Sequence, residues 1–311
     1  MQAPSIRIGT RGSPLALAQA HEVQARLAEA HALAPDRITI TIIKTTGDQV
    51  LDRPLAEIGG KGLFTKEIED ALLAGAIDVA VHSMKDMQTE LPDGLIVGAV
   101  LPREDVRDAF ISLKYASLAD VPAGATIGTS SLRRQAQLLN VRPDLNVIGF
   151  RGNVQTRLRK LEEGIADATF LAVAGLKRLG MDTRITAPVA VADMLPAVAQ
   201  GAIALEIRAG DKETAATLAP LNDAATALAV TAERAFLARL EGSCRTPIAG
   251  HARLEGGLLH FRGQVLSPDG KLRYDVSRSG PPETALRLGE DAANEILSVA
   301  DAAVLPGAAR A

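Results

Sequence analysis

Three kinds of side chain in this sequence offer chemistry. The first is a thiol. Cys244, in LEGSCRTPIAG at 240–250, is the only cysteine among 311 residues. A lone cysteine cannot close an internal disulfide, so it serves either packing or reaction. Gly242 and Ser243 are small turn-formers that leave a side chain accessible. Arg245 sets a fixed positive charge beside the sulfur, which favours thiolate. A buried, inert thiol is the other reading, because free cysteine is among the most buried residue types. The second kind is a carboxylate beside an amine, in VHSMKD at 81–86. Asp86 among cations has its charged form favoured. It reads either as a salt-bridge partner or as a general acid/base and stabiliser of a developing cation. Lys85 is a potential Schiff-base lysine, and His82 reads more readily as a structural histidine than as a base.

The third kind is the guanidinium. Arg11 lies in GTRGS at 9–13, Arg133 and Arg134 in GTSSLRR at 128–134, Arg151 in GFRGN at 149–153 with Arg157 one helical turn on, and Arg178 in GLKR at 175–178. Apart from the last, these segments, like the one holding Asp86, are expected to follow a strand and open a helix. Free N–H groups and the positive end of the dipole face an anion there, and arginine adds paired planar donors suited to carboxylates. Singly, each arginine suits a solvated surface. Together, in a chain of net charge −3, they point to a small, highly anionic ligand such as a polycarboxylate or phosphate compound. Gly60-Lys61-Gly62 lacks the spacing of a phosphate loop.

The elements that must hold these groups follow from periodicity. Short apolar runs at 5–9, 38–43, 77–81 and 95–101 read as strands, alternating with helices near 13–30 and 64–74; 44–62 reads as a long glycine-punctuated loop. The pattern restarts with strands at 109–113, 125–128, 145–150 and 168–172 and helices at 131–139 and 154–162. One more strand is expected at 202–207 and a long alanine-rich helix at 223–241. Such alternation predicts parallel α/β sheets. After residue 245 the texture changes to an antiparallel meander, 248–254, 258–266 and 271–276, turned at Pro268-Asp269-Gly270 and closed by a helix from 282 to about 304.

Composition excludes several classes. The acidic balance gives no footprint for nucleic acid, and 3% aromatics with no Trp leave no base-stacking platform. No run of about 18 apolar residues predicts a membrane span, and the N-terminus shows no apolar stretch of signal-peptide length. The five histidines show no pairing at metal-ligand spacing, so no metal is expected. A single cysteine fits a reducing, cytoplasmic setting.

These residues, in this order, resemble the porphobilinogen deaminase (hydroxymethylbilane synthase) family. The resemblance runs nearly end to end: IRIGTRGSPLALAQ at 6–19, GGKGLFTKEIEDALL at 59–73, DVAVHSMKDM at 78–87, REDVRDAF at 103–110, IGTSSLRRQAQL at 127–138, FRGNVQTRL at 150–158, LAVAGLKRLG at 171–180, LPAVAQGAIALE at 195–206 and LEGSCRTPIAG at 240–250. It implies two α/β domains like those of periplasmic binding proteins and a small C-terminal α+β domain. The implied limits are 1–101 with 202–219, then 102–201, then 220–311. It implies a dipyrromethane cofactor joined to Cys244 by a thioether, on which four porphobilinogen units are condensed with loss of ammonia before hydrolysis releases hydroxymethylbilane. By the same resemblance Asp86 is the catalytic carboxylate. Ser83, Lys85, Thr129, Ser131, Arg133 and Arg134 contact the cofactor, and Arg11, Ser13, Arg151, Arg157 and Arg178 the substrate. Lys61, His82, Asn153 and Gln200 are accessory. A cytoplasmic monomer passing its product to uroporphyrinogen-III synthase is implied, with no nucleic acid or membrane partner. The sequence departs from the usual family pattern at Gln88, Val106 and Ala199, and at GSCRTPI around the cysteine. From the residues alone, a cytosolic two-lobed carboxylate-binding protein with a structural cysteine is the alternative.

Overall fold

The computed structural model describes residues 6–49, 62–240, 246–301 and 304–305. The first elements are β1 (Ile6–Thr10), α1 (Pro14–His31), β2 (Ile38–Ile42), α2 (Thr46–Gln49), α3 (Lys66–Leu73), β3 (Val79–Ser83) and β4 (Leu95–Val100). Next come β5 (Asp108–Ser112), β6 (Thr126–Gly128), α4 (Leu132–Val141), β7 (Asn146–Ile148), α5 (Val154–Glu162), β8 (Ala168–Ala172), α6 (Val173–Arg178) and β9 (Ala187–Pro188). The chain continues through β10 (Ile203–Arg208), α7 (Lys212–Leu218), α8 (Ala224–Arg239), β11 (Ile248–Glu255), β12 (Leu258–Leu266), β13 (Arg273–Gly280) and α9 (Ala285–Val299). By internal contacts these group into two units, 1–104 with 201–227 and 105–200 with 228–311.

Local chemistry sets the element ends. Ser13 Oγ accepts from Ala16 N–H at 3.3 Å and Pro14 follows as the first helical residue, so α1 starts where the Ser-Pro pair predicts. The first unit is built on a five-stranded sheet of order β2-β1-β3-β10-β4. Alternation along β3 sends Val79 and Val81 into a core with Ala20, Val23 and Leu27 of α1, and Ala80 into a second core with Ile68 and Leu72 of α3.

The expectation of parallel sheets is corrected here. β10 runs antiparallel to both β3 and β4. In the second unit, the sheet of order β7-β6-β8-β5-β9 has β5 antiparallel to β8 and β9. A short apolar run announces a strand buried on both faces but carries no direction. β10 reads as such a run, yet returns into the first sheet from far along the chain. Helices α6 and α7, too short to show a clear period, escaped the sequence reading.

The meander β11-β12-β13 is antiparallel as expected. It packs on α8 and α9 through Phe236, Phe261, Leu288 and Ile296, with the two rings 5.0 Å apart. Its β12–β13 turn abuts α4: Asn140 Nδ2 donates to Gly270 O at 2.7 Å. Gly270 has φ 73°, and a Cβ there would lie 2.6 Å from both Ala136 O and Asn140 N. Gly270→Ala therefore meets a left-handed backbone and a wall of main chain. The expected cost is about 2–3 kcal/mol, read as a lowered melting temperature; unchanged melting would show that the turn relaxes freely.

Candidate functional site

In the first unit the site grows from the end of β3. Met84–Asp86 form one turn of 3-10 helix rather than the α-helix expected after this strand. Two buried methionines hold the turn. Met84 N–H donates to Ala202 O at 3.0 Å, and Met87 N–H donates to Met84 O at 3.2 Å. The side chain between them is presented outward. Asp86 is exposed, and its carboxylate has no hydrogen-bond or ion-pair partner among the described residues. That corrects the expectation of a carboxylate buried among cations: its negative charge is unspent. Lys85 beside it is half-buried.

Ser83 Oγ lies 2.8 Å from Gln19 Nε2, which donates to it, and 3.0 Å from Gln19 Oε1. Gln19 is buried on α1 and no role was assigned to it from sequence, although it closes the IRIGTRGSPLALAQ motif. The Arg11 guanidinium stands over the Phe64 ring at 4.1 Å, a cation–π contact that keeps the planar group oriented. Ser13 is occupied as the α1 cap. His82 is buried, with Nε2 3.0 Å from Glu206 Oε2, in keeping with the structural reading.

The second unit holds the arginines of α4, and the expectation that they simply face a ligand needs correction. Both are 5% exposed and converge on Asp108, which is fully buried. Arg133 Nη2 is 2.8 Å from Asp108 Oδ2, and Arg134 Nη2 donates to Asp108 Oδ1 at 2.7 Å. Arg133 Nη1 also donates to Leu195 O and Arg134 Nη1 to Phe170 O. Gln200 Nε2 donates to Asp108 Oδ1 at 3.0 Å and to Val106 O at 2.8 Å. Burial pushes the Asp108 carboxyl up, but the two guanidinium charges and the hydrogen bonds from Arg134 and Gln200 outweigh it and hold it far below the usual carboxylate range. Burial pulls Arg133 down from the ordinary arginine value, against the attraction of Asp108. Asp108 was not singled out from the sequence; its signal was an acid inside the REDVRDAF motif with an Arg-Arg pair downstream.

The remaining groups line the strand ends nearby in sequence. Thr129 Oγ1 accepts from Ser131 N–H at 3.2 Å, and Ser131 Oγ caps α4 by accepting from Arg134 N–H at 3.5 Å. Asn153 Oδ1 caps α5 by accepting from Thr156 N–H at 2.8 Å. Arg157 Nε donates to Gly152 O at 2.8 Å. Arg178 sits in the last turn of α6, where no helix opens. Ala199 has φ 59° and is buried, and its N–H donates to Glu233 Oε2 at 2.6 Å, so a non-glycine is held in the left-handed region. Cys244 and Lys61 lie outside the described residues.

Two features suit a polycarboxylate. Two buried guanidiniums share one carboxylate, which leaves a surplus positive charge. Arg133 Nε and Arg151 Nη1 are also buried with no hydrogen-bond partner among the described residues. A buried N–H donor without an acceptor is costly, and an anionic oxygen supplies what both lack. Among the described residues no group of three His, Cys, Asp or Glu side chains is arranged to hold a metal ion.

Two family models match the chain. Porphobilinogen deaminase, dipyromethane cofactor binding domain, covers residues 6–216, and porphobilinogen deaminase, C-terminal domain, covers 227–298. A porphobilinogen deaminase of Paracoccus denitrificans is 61% identical over 94% of this chain and 93% of its own length. A chloroplastic porphobilinogen deaminase of Pisum sativum is 58% identical over 94% of this chain and 81% of its own. Among solved structures, a putative methionine-binding lipoprotein of Bacillus subtilis overlays 70% of this chain and 89% of its own at TM-score 0.43 and 14% identity.

Proposed function

We propose a division of labour that proceeds from one premise: the chain belongs to the porphobilinogen deaminase family. It is a hydroxymethylbilane synthase, a transferase of tetrapyrrole biosynthesis that deaminates porphobilinogen and joins four units head to tail. Its cofactor is dipyrromethane, which supplies the primer on which the chain is built.

Cys244 is the attachment point, the single sulfur available for a thioether. Arg133, with Thr129, Ser131, Ser83 and Lys85, takes the cofactor carboxylates, and Arg134 locks Asp108 so that Arg133 stays in place. Arg11, Arg151, Arg157 and Arg178 take substrate carboxylates. Ser13 and Asn153 shape the helix starts beside them, and Gln200 steadies Asp108. His82 is structural, and Lys61 stands as an accessory cation. Asp86 meets the positive charge that develops when porphobilinogen loses ammonia, and it accepts and returns the associated protons. The observation that carries this reading is the Asp86 carboxylate, exposed and unpartnered among the described residues, set on a turn whose two neighbours are anchored in the core. A carboxylate free of internal partners retains its whole charge for a cation in the substrate.

The functional domains follow the limits 1–101 with 202–219, 102–201 and 220–311. The enzyme works as a cytoplasmic monomer and passes its product to uroporphyrinogen-III synthase. No helix among the described residues is long and apolar enough to cross a membrane.

The test is the intact mass of protein purified from cells that make porphobilinogen. A mass increased by two pyrrole units, lost in Cys244→Ser, is expected. An unmodified wild-type chain would count against the attachment.

A further inference from the structure

Behind the Asp86 turn lies a cluster of acids that the proposed chemistry does not use. Glu69 of α3 is 3% exposed, and Glu206 of β10 and His82 of β3 are 0% and 5% exposed. Alternation along the strands puts His82 and Glu206 on the sheet face that α3 covers, the face of Ala80. His82 Nε2 and Glu206 Oε2 are 3.0 Å apart. Around that one bond, Glu69 Oε1, Glu206 Oε1 and Thr65 Oγ1 are all buried without a hydrogen-bond partner among the described residues. Two ionised carboxylates would offer only acceptors here, and the Thr65 hydroxyl supplies a single donor and no charge, so one imidazole would have to answer two buried negative charges. A buried second negative charge without a partner is among the most costly arrangements in a protein interior. One added proton removes the conflict, because a neutral carboxyl donates where a carboxylate only accepts.

We infer that Glu69 is a positioning residue whose neutral carboxyl donates to Glu206, bridging α3 to the His82–Glu206 pair and fixing the end of β3 that carries Ser83, Lys85 and Asp86. The register supports the linkage. Ser83 pairs with Ile203 and His82 with Ala204 on β10, and Met84 N–H donates to Ala202 O. The strand bearing Glu206 is thus the strand on which the Asp86 turn rests. Burial pushes the Glu69 carboxyl up; the Thr65 hydroxyl, which adjoins it without reaching hydrogen-bond geometry, opposes this; Glu206 and, more weakly, Asp70 raise it further; and His82 lowers it, leaving a net rise. Of the charged strand residues on this face, Arg208 of β10 is turned to Leu72 O and Ile77 O and to Asp211, and Arg7 of β1 is bound to Asp78, so neither neutralises the pair.

The sign of the pH effect follows. A folded value raised above the unfolded one gives stability that is complete below the ordinary glutamate range and is lost as pH rises through the folded value. Infrared difference spectra of the holoenzyme, wild type against Glu69→Gln, are expected to show a neutral-carboxyl band at neutral pH that the substitution removes. Glu69→Gln, which keeps a donor, should hold kcat within about twofold and flatten the alkaline decline of both kcat and melting temperature. Glu69→Ala should lower kcat roughly tenfold with KM little changed, because the turn shifts while the binding groups remain. Absence of the band, or a Glu69→Gln as impaired as Glu69→Ala, would overturn the inference. The kinetic arm rests on the role proposed for Asp86. The spectral arm does not, so a band present alongside an inert Asp86 would locate the failure in that role.

Discussion

Asp86→Asn is expected to lose between about a hundredfold and a thousandfold in kcat, the scale of removing one preorganised stabiliser of developing charge, while melting at the wild-type temperature. The two halves of this expectation come from one observation. The Asp86 carboxylate makes no bond or ion pair with any described residue, so its neutralisation breaks no contact among them. Exposed substitutions away from structural contacts stay within about 0.5 kcal/mol. The amide keeps the shape and hydrogen-bonding reach of the carboxylate but not its charge. Binding of the pyrrole chain should therefore persist while the step that creates a cation slows. Ammonia release from porphobilinogen under saturation, with intact mass to verify the adduct, separates the two. Release at the wild-type rate would remove Asp86 from the chemistry.

Asp108→Asn should do the opposite, damaging the protein before its reaction. Two arginines, each 5% exposed, depend on this one carboxylate. Removing one partner of a buried charge cluster costs about 3–5 kcal/mol, a large part of the roughly 5–15 kcal/mol that keeps a domain folded. The expected result is a melting temperature lower by roughly 10 °C and a purified protein with much of its chain unmodified, because Arg133 is no longer held. Acid alone does not reproduce the effect. The Asp108 carboxyl is held below its unfolded value, so its contribution is present above the ordinary aspartate range and is lost only as pH falls through a far more acidic one. Unaltered melting in Asp108→Asn would mean that the arginines find other partners.

Element types were largely legible because they depend on local pattern. α5 and β12 fall on the expected residues, and α1 begins at the expected Ser-Pro pair. Strand direction was not legible, since it is fixed by where the chain re-enters a sheet. The chemically active side chains were found by type and junction, yet their use was not. Ser13, which reads from sequence as a cap as well as a substrate contact, caps α1; Ser131, read as a cofactor contact, and Asn153, read as accessory, also serve as caps, because a side-chain oxygen at a helix start satisfies the nearest N–H first. Arg133 and Arg134 read as open cations and prove to be paired internally; the acid that pairs them, Asp108, stands in the distant REDVRDAF motif, and no local pattern joins the two segments. Asp86 was read as buried among cations, whereas it is exposed and makes no ion pair among the described residues. Sequence proximity to Lys85 suggested that setting, and the one-turn 3-10 helix leaves Lys85 half-buried and Asp86 exposed.

The placement of β10 has a consequence for how the protein is made. Among the described residues β4 has one neighbour in its sheet, and that neighbour is β10. A nascent chain that has just finished β4 can pair β1, β2 and β3 but has nothing on which to lay the fourth strand. The missing member is about a hundred residues downstream, on the order of ten seconds of synthesis. In that interval every strand of the β7-β6-β8-β5-β9 sheet emerges. The sheet begun first is thus completed only after the strands of the second α/β sheet have emerged, and an apolar strand, LIVGAV, waits unpaired on the ribosome until its partner arrives. Aggregation during expression, or a dependence on chaperones that bind extended apolar segments, would be set by this delay in translation and not by the stability of the finished enzyme.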